Sequence, residues 1–244
     1  MERTKYLLIA LILLCWPVLY GQEHPDIYRA YISGNMELWQ QTIDGIEAQK
    51  GKNHSEVLRL INYQYGYIGW CIGQKRSDEA KSYLNKAKET LKPLEQAKYN
   101  TTLLYAYKSA FSGFEIGLSP LKAPFIGPKS IENAKRSVAS DSTQAMGYLQ
   151  LGNIAFYAPK MFGGSPTEAL RHYEKALQIM EQNNLHKAKD WNYLNILVTL
   201  INAYRLANQY EKARYYCLKA LAVEPGFVWV STTLYPQVEK MSKP

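Results

Sequence analysis

The sequence has few of the side chains from which most enzyme and metal sites are built. It contains three cysteines and four histidines among 244 residues. The histidines are His24, His54, His172 and His186. No two of them have the spacing of metal ligands, and none neighbours Cys71 or Cys217 in sequence. We therefore expect no metal and no cofactor, and we expect His172 to lie on a solvated helix face.

The glycine-containing loops also lack the neighbours that catalysis requires. The segment Gly163-Gly164-Ser165 is not followed by the Lys-Ser/Thr pair of a phosphate-binding loop, and it is not the Gly-x-Ser-x-Gly of a nucleophile elbow. Ser165 is better explained as a helix N-cap, because Pro166 and Glu168 follow it in a capping-box arrangement. The sequence therefore predicts that the protein is not an enzyme.

Charge runs are absent too, although the chain is basic. The formal net charge is +8, but lysine and arginine are scattered, with no run of five or six. The chain has no zinc-finger, RNA-recognition or helix-turn-helix signature, so we expect no nucleic-acid partner. The excess charge is compatible with an anionic partner, but a basic protein without a charged ligand is the favoured interpretation.

No apolar run reaches the roughly 20 residues that span a bilayer as a helix. The run Tyr6–Trp16 follows Arg3 and Lys5 and ends at Pro17. This layout is typical of a secretory signal peptide, so we interpret residues 1–21 as a leader cleaved after Gly21. The mature protein is then expected to be secreted to the periplasm or cell envelope, with no integral membrane span.

Two alternatives for the leader stay open. One is an uncleaved N-terminal anchor. The other is a lipoprotein modified at Cys15, which is disfavoured because Leu14 stands where a lipobox has a small residue.

A recurring helical pattern fills the rest of the chain. Residues 145–177 contain Tyr148-x2-Leu151-Gly152 and then Ala169-x3-Tyr173-x2-Ala176-Leu177. Related spacings are Tyr65-x2-Ile68-Gly69 with Ala80-x3-Leu84-x2-Ala87, and Leu197-x2-Leu200-Ile201 with Ala213-x3-Cys217-x2-Ala220-Leu221. Small residues at these places allow two helices to cross closely.

This spacing resembles the tetratricopeptide repeat (TPR). The resemblance implies an all-α fold, a right-handed α-solenoid of antiparallel helix pairs with a C-terminal capping helix. Residues 22–244 would form one domain, with units at about 26–50, 55–91, 93–143, 144–186 and 187–225 and a cap at 226–239.

A narrower resemblance rests on the loops and the C-terminus. The chain looks like exported TPR proteins of Bacteroidetes-type bacteria at residues 127–130, Gly152, residues 159–165, Trp229 and Tyr235-Pro236. The Gly163-Gly164 loop is also similar to one in the periplasmic TPR partner of TRAP transporters.

Several local expectations follow from the pattern. Pro93 is expected to start the third unit, and the prolines between 120 and 128 to exclude helix there. Asn208 is expected to cap the second helix of the fifth unit, and Pro236 to end the last helix. Each repeat should touch only its neighbours. A disulfide between Cys71 and Cys217, which lie in distant repeats, is therefore not expected, and both should be buried free thiols.

The TPR resemblance implies that the first helix of each unit lines a concave, partner-binding face. The residues placed there are Tyr63, Trp70, Tyr107, Phe111, Phe114, Asn153, Phe156, Tyr157, Asn202 and Arg205. In peptide-binding members, asparagines at the positions of Asn153 and Asn202 hydrogen-bond the ligand backbone. Leu149 and Val198 stand where a carboxylate clamp would have lysine, so such a clamp is disfavoured.

The sequence therefore predicts an exported, monomeric scaffold that binds a protein or peptide through an aromatic and asparagine-lined concave face. Two alternatives stay open: a small-molecule-binding module of an envelope transport system, and a structural spacer. It also stays open whether the aromatic residues are ligand contacts or packing residues. The sequence leaves the partner and the pathway unspecified.

Overall fold

The computed structural model describes residues 24–242, all of whose regular elements are helical. The helices are α1 Pro25–Ser33, α2 Met36–Ala48, α3 His54–Gly73, α4 Ser77–Gln96, α5 Thr101–Leu118, α6 Ala123–Ser140, α7 Ala145–Tyr157, α8 Pro166–Gln182, α9 Trp191–Leu206, α10 Tyr210–Val223 and α11 Tyr235–Ser242. The predicted all-α solenoid of helix pairs is confirmed. The leader, its cleavage site and Cys15 lie outside the described residues.

Consecutive helices pack antiparallel. Between α5 and α6, Ser109 contacts Ser130 and Tyr105 contacts Arg136. Between α8 and α9, Glu174 bonds Tyr204, whereas Glu181 bonds Tyr193. As a result α3, α5, α7 and α9, here called the inner helices, all run in one direction. Their C-terminal ends, with the turns that follow them, the first two turns of α6 and the C-terminal end of α11, form what we call the front edge. Of the helices between residues 24 and 242, none has the length and apolar content needed to cross a membrane.

The first helix pair contacts the last one, which the repeat pattern does not predict. The hydroxyl of Tyr31 in α1 donates to Asn195 Oδ1 in α9 at 3.1 Å. The rings of Trp39 and Trp191 pack edge-to-face with centroids 4.9 Å apart. The expectation that each repeat touches only its neighbours is therefore wrong, because large aromatic side chains fill the inner space and join its two ends.

An amide of the second helix pair adds to this closure. Asn62 Nδ2 donates to Tyr107 Oη at 3.0 Å and to Asn192 Oδ1 at 2.9 Å. Asn62 Oδ1 accepts from Trp191 Nε1 at 2.9 Å and from Asn192 Nδ2 at 3.2 Å. Both lone pairs and both hydrogens of the amide are used, so Asn62 links the second, third and fifth pairs.

Three of the proline expectations are wrong. The segment after α5 is a short 3₁₀ turn, and α6 then runs through Pro124 and Pro128. Pro124 lies in the first turn, where a missing N–H leaves no helical bond unmade, and Pro128 removes only one bond near the helix start. Pro93 lies near the C-terminal end of α4, and Pro236 lies in the first turn of α11 rather than at its end.

The two predicted caps have different outcomes. Ser165 caps α8 as expected, since its hydroxyl accepts from the backbone N–H of Glu168 at 3.3 Å. The capping box is not formed, because the Ser165 backbone N–H donates to the Ala155 carbonyl at 2.8 Å instead of to Glu168. Asn208 does not cap α10. It lies in the left-handed region with φ 57°, and Gln209 takes the cap position without a side-chain bond.

The expected close helix crossing is confirmed at Gly152. In the second unit the close approach is not at Gly69, as expected, but at another glycine of the same helix. A Cβ added at Gly152 would lie 2.5 Å from the Tyr173 ring, whereas one at Gly69 would lie 3.7 Å from Phe114, an ordinary contact. The close approach in α3 is at Gly66, where a Cβ would lie 2.7 Å from the indoles of both Trp39 and Trp191.

We therefore expect Gly66→Ala to lower the free energy of unfolding by about 1–3 kcal/mol, because the added methyl displaces both indoles of the closure. The matched control is Gly73→Ala in the same helix, where an added Cβ meets nothing within 4 Å. Urea unfolding measures both. Equal stability of the two variants would contradict the proposed importance of this contact.

Candidate functional site

The structure divides the ten predicted binding residues by their position along the inner helices. Tyr63, Tyr107 and Phe111, which precede the last third of their helices, are buried. Tyr63 Oη accepts from the backbone N–H of His24 at 2.9 Å, and its carbonyl accepts from Trp39 Nε1 at 3.0 Å. These three side chains are therefore part of the packed interior.

The other seven residues lie in the last third of their helices and are partly or fully exposed. They are Trp70, Phe114, Asn153, Phe156, Tyr157, Asn202 and Arg205. The inner surface is thus closed where its helices begin and accessible where they end, at the front edge.

Four of these seven come together in one cluster. Tyr65 stacks on Phe114 with centroids 5.4 Å apart, and Phe156 packs edge-to-face on Tyr157 at 4.9 Å. Phe156 also lies 6.2 Å from the Tyr173 ring. We call Tyr65, Phe114, Gln150, Asn153, Phe156, Tyr157 and Tyr173 the tyrosine cluster. Its outermost member is Tyr157, whose side chain is 78% exposed.

A chain of hydrogen bonds runs beneath this aromatic surface. Tyr173 Oη donates to Asn153 Oδ1 at 2.9 Å, and Asn153 Nδ2 donates to Gln150 Oε1 at 3.2 Å. Gln150 Nε2 lies 3.5 Å from Tyr65 Oη. The Asn153 amide, predicted to meet a ligand backbone, therefore already joins α7 to α8 within the fold.

The phenols of the cluster stay neutral at physiological pH. Burial raises the pKa of Tyr65, whereas its hydrogen bonds with Gln150 and Asn153 lower that pKa and offset part of the effect. Burial raises the pKa of Tyr173 as well, and the nearby Tyr157 phenol acts in the same direction. Neutral phenols and amides can both donate and accept, so the cluster offers directional polar groups beside apolar rings.

Trp70, Asn202 and Arg205 make their contacts elsewhere. The Arg76 guanidinium lies 5.1 Å over the Trp70 ring. Asn202 Nδ2 donates to the Val198 carbonyl at 3.1 Å, and its Oδ1 accepts from Arg205 at 3.1 Å. Arg205 also donates to Gln237 Oε1 of α11 at 2.7 Å. Trp70 therefore lies beside the turn after α3, and Asn202 and Arg205 lie at the capped end of the stack.

Sequence reasoning missed Tyr65 and Gln150 as members of a site. Tyr65 enters the sequence pattern only as part of the repeat spacing Tyr65-x2-Ile68-Gly69. Gln150 lies among apolar residues of α7 and is buried, and a buried amide needs hydrogen-bonding partners. The sequence signal that could have revealed this network is Gln150 itself, a polar residue among the apolar residues of α7.

His172 is not on a solvated face as expected. Its side chain is 16% exposed and lies beside Tyr148, with ring centroids 6.4 Å apart. Burial lowers the pKa of His172, and the neighbouring Arg171 lowers it further. The imidazole is therefore neutral at pH 7.

Comparison with known proteins shows the fold and goes no further. No protein-family model matches the chain, and no curated protein sequence matches it. Among solved structures it is similar to the HusA haemophore from Porphyromonas gingivalis, with a TM-score of 0.56 and 15% sequence identity. The match covers 72% of this chain and 90% of that one. At this identity the likeness concerns the helical architecture alone, and the TPR assignment stays a prediction.

The two cysteines in the described part of the chain are buried and unbonded, as expected. Burial raises the pKa of the Cys71 thiol to about 12, with a further contribution from Glu79 that Arg76 opposes. Burial likewise raises the pKa of the Cys217 thiol to about 12. Neither thiol ionises near neutral pH, so neither is a nucleophile in the folded state.

We expect Cys71 and Cys217 to react with a thiol reagent at pH 8 only on unfolding, because the folded protein holds them shielded and protonated. The measurement is the labelling rate with and without denaturant, followed for each cysteine by mass spectrometry. Fast labelling of either cysteine in the native protein would contradict this burial.

Proposed function

We propose that this protein is an exported, monomeric TPR scaffold of the cell envelope that binds a protein or peptide segment at the tyrosine cluster. The observation that carries the proposal is the exposure of Tyr157 directly above a neutral hydrogen-bonding network. A large exposed aromatic ring with a polar tip is the kind of residue that dominates protein interfaces. Export rests on the leader pattern of residues 1–21.

The bound segment is expected to be short and to enter from the front edge. Peptide-binding solenoids hold extended ligands along the inner surface, but here Trp39 and Trp191 occupy that space. What a partner can reach is the outer rim of the cluster, made by Phe156 and Tyr157 with Phe114 behind them. A loop or chain end of the partner that offers an apolar side chain and a peptide group fits this rim.

Tyr157→Ala is expected to weaken capture of the partner from a cell-envelope extract by at least about tenfold, the scale of an interface hot spot. The melting temperature should be unchanged, because the side chain is largely exposed. Tyr215→Ala is the matched control, since Tyr215 is 57% exposed on the far helix α10. Equal capture by wild type and both variants would sink the proposal.

A second candidate function is the binding of a haem-like ligand, a planar apolar ring with carboxylates. The solved structure that this chain resembles is named as a haemophore, and the front edge offers suitable chemistry here. Tyr157 and Met161 are exposed and carry oxygen and sulfur ligands for iron. The ring of Phe162 and the ammonium of Lys160 could meet the porphyrin face and a carboxylate.

This second candidate predicts that titrating the protein with haemin produces a shifted Soret band. Tyr157→Phe should change the spectrum and weaken binding, because it removes the phenol oxygen and keeps the ring. Tyr215→Phe should leave both as in the wild type. A spectrum identical to that of haemin in buffer would exclude this function and leave the protein-binding proposal standing.

A further inference from the structure

The exposed apolar side chains of this protein are concentrated on one side. Seven of the eleven large apolar residues that are exposed among residues 24–242 lie at the front edge. They are Leu121, Phe125, Tyr157, Met161, Phe162, Leu206 and Met241. At the opposite edge only Val228 and Trp229 are comparably exposed within that range, and Tyr215 and Leu218 lie on the outside of α10. An apolar patch of this kind on a folded protein marks an interaction surface.

The centre of this surface is made by two neighbouring loops. One follows α5 and the other follows α7, and these two inner helices pack against one another. The side chains at the tips protrude almost fully: Leu121 is 87% exposed, Phe125 84% and Met161 82%. Separate protruding side chains, rather than a groove, suit insertion into a medium that closes around each of them.

The charged side chains of these two loops and of the first two turns of α6 all have the same sign. Between residues 116 and 131 the charged side chains are Lys122 and Lys129, and between 153 and 167 there is Lys160 alone. Lys122 lies 4.0 Å from Glu115 at the base of the first loop. All three lysines are exposed around the apolar tips. This combination is complementary to a bilayer surface, whose interior takes up apolar side chains and whose anionic headgroups attract ammonium groups.

We infer that this protein docks peripherally on an anionic lipid bilayer through the front edge. Leu121, Phe125, Met161 and Phe162 enter the interface between headgroups and acyl chains. Lys122, Lys129 and Lys160 lie over the headgroups, their stems packed along the apolar tips. This inference does not rest on the proposed protein binding, because it requires neither Tyr157 nor a protein partner; Met161, Phe162 and Lys160 are shared with the haem-binding candidate.

The test is co-sedimentation with vesicles that contain phosphatidylglycerol, using full-length protein exported and processed by an expressing host. Phe125→Gln with Met161→Gln is expected to lower the vesicle partition coefficient by about tenfold or more, because two large apolar side chains no longer leave water. The matched control is Tyr215→Gln with Leu218→Gln, which should bind as the wild type does. Any leader retained at the N-terminus contributes equally to all of these proteins.

A second pair of variants tests the charge. Lys129→Gln with Lys160→Gln should remove most of the preference for phosphatidylglycerol over phosphatidylcholine vesicles. Lys187→Gln with Lys189→Gln, which changes the net charge equally at the opposite edge, should keep that preference. Unfolding midpoints confirm that every variant is folded.

The inference is overturned if the wild type stays in the supernatant with phosphatidylglycerol vesicles, or if the paired variants and their controls lose binding equally. Because the vesicles contain no protein and Tyr157 is intact in every variant, this result is independent of the partner-capture experiment.

Discussion

The contact of Asn62 with Trp191 is the constraint on which the arrangement of the helices depends. The indole N–H meets an amide that also bonds Tyr107 and Asn192, so three helix pairs meet at one side chain. With the ends of the stack held together, the aromatic residues of the inner helices lie in a packed interior. The accessible part of the inner surface is then limited to the front edge, where the tyrosine cluster reaches solvent.

The helix pairs were predictable from sequence because their signals are local. The spacing of small and aromatic residues over a few turns defines each crossing, and Gly152 against Tyr173 is a direct instance. The errors at Pro93 and Pro128 arose because the free-energy cost of a proline depends on its position within the helix, and residue spacing alone does not give that position. The closure could not be predicted from the sequence, because Asn62 and Trp191 are 129 residues apart and the repeat pattern predicts contacts between neighbouring repeats only.

For the predicted binding residues, the sequence indicates which helix each one lies on but not how deeply its side chain is buried. The TPR resemblance placed Tyr107 and Asn153 on first helices, where both lie, but it could not tell that Tyr107 lies under the closure and Asn153 near the opening. Depth depends on what the far end of the chain covers, and that is a tertiary property. For the same reason Asn153 was expected to be available for a ligand, whereas Tyr173 and Gln150 already engage it.

A stack whose two ends touch has a fixed number of units. An open solenoid can lengthen by duplicating a helix pair, because the new pair only needs to fit its neighbours. Here a pair inserted between α4 and α9 would carry Asn62 away from Trp191 and Trp39 away from its indole partner. Evolution of this architecture is therefore restricted to changes within units, and the turns after α5 and α7 are where new surface could be added without opening the closure.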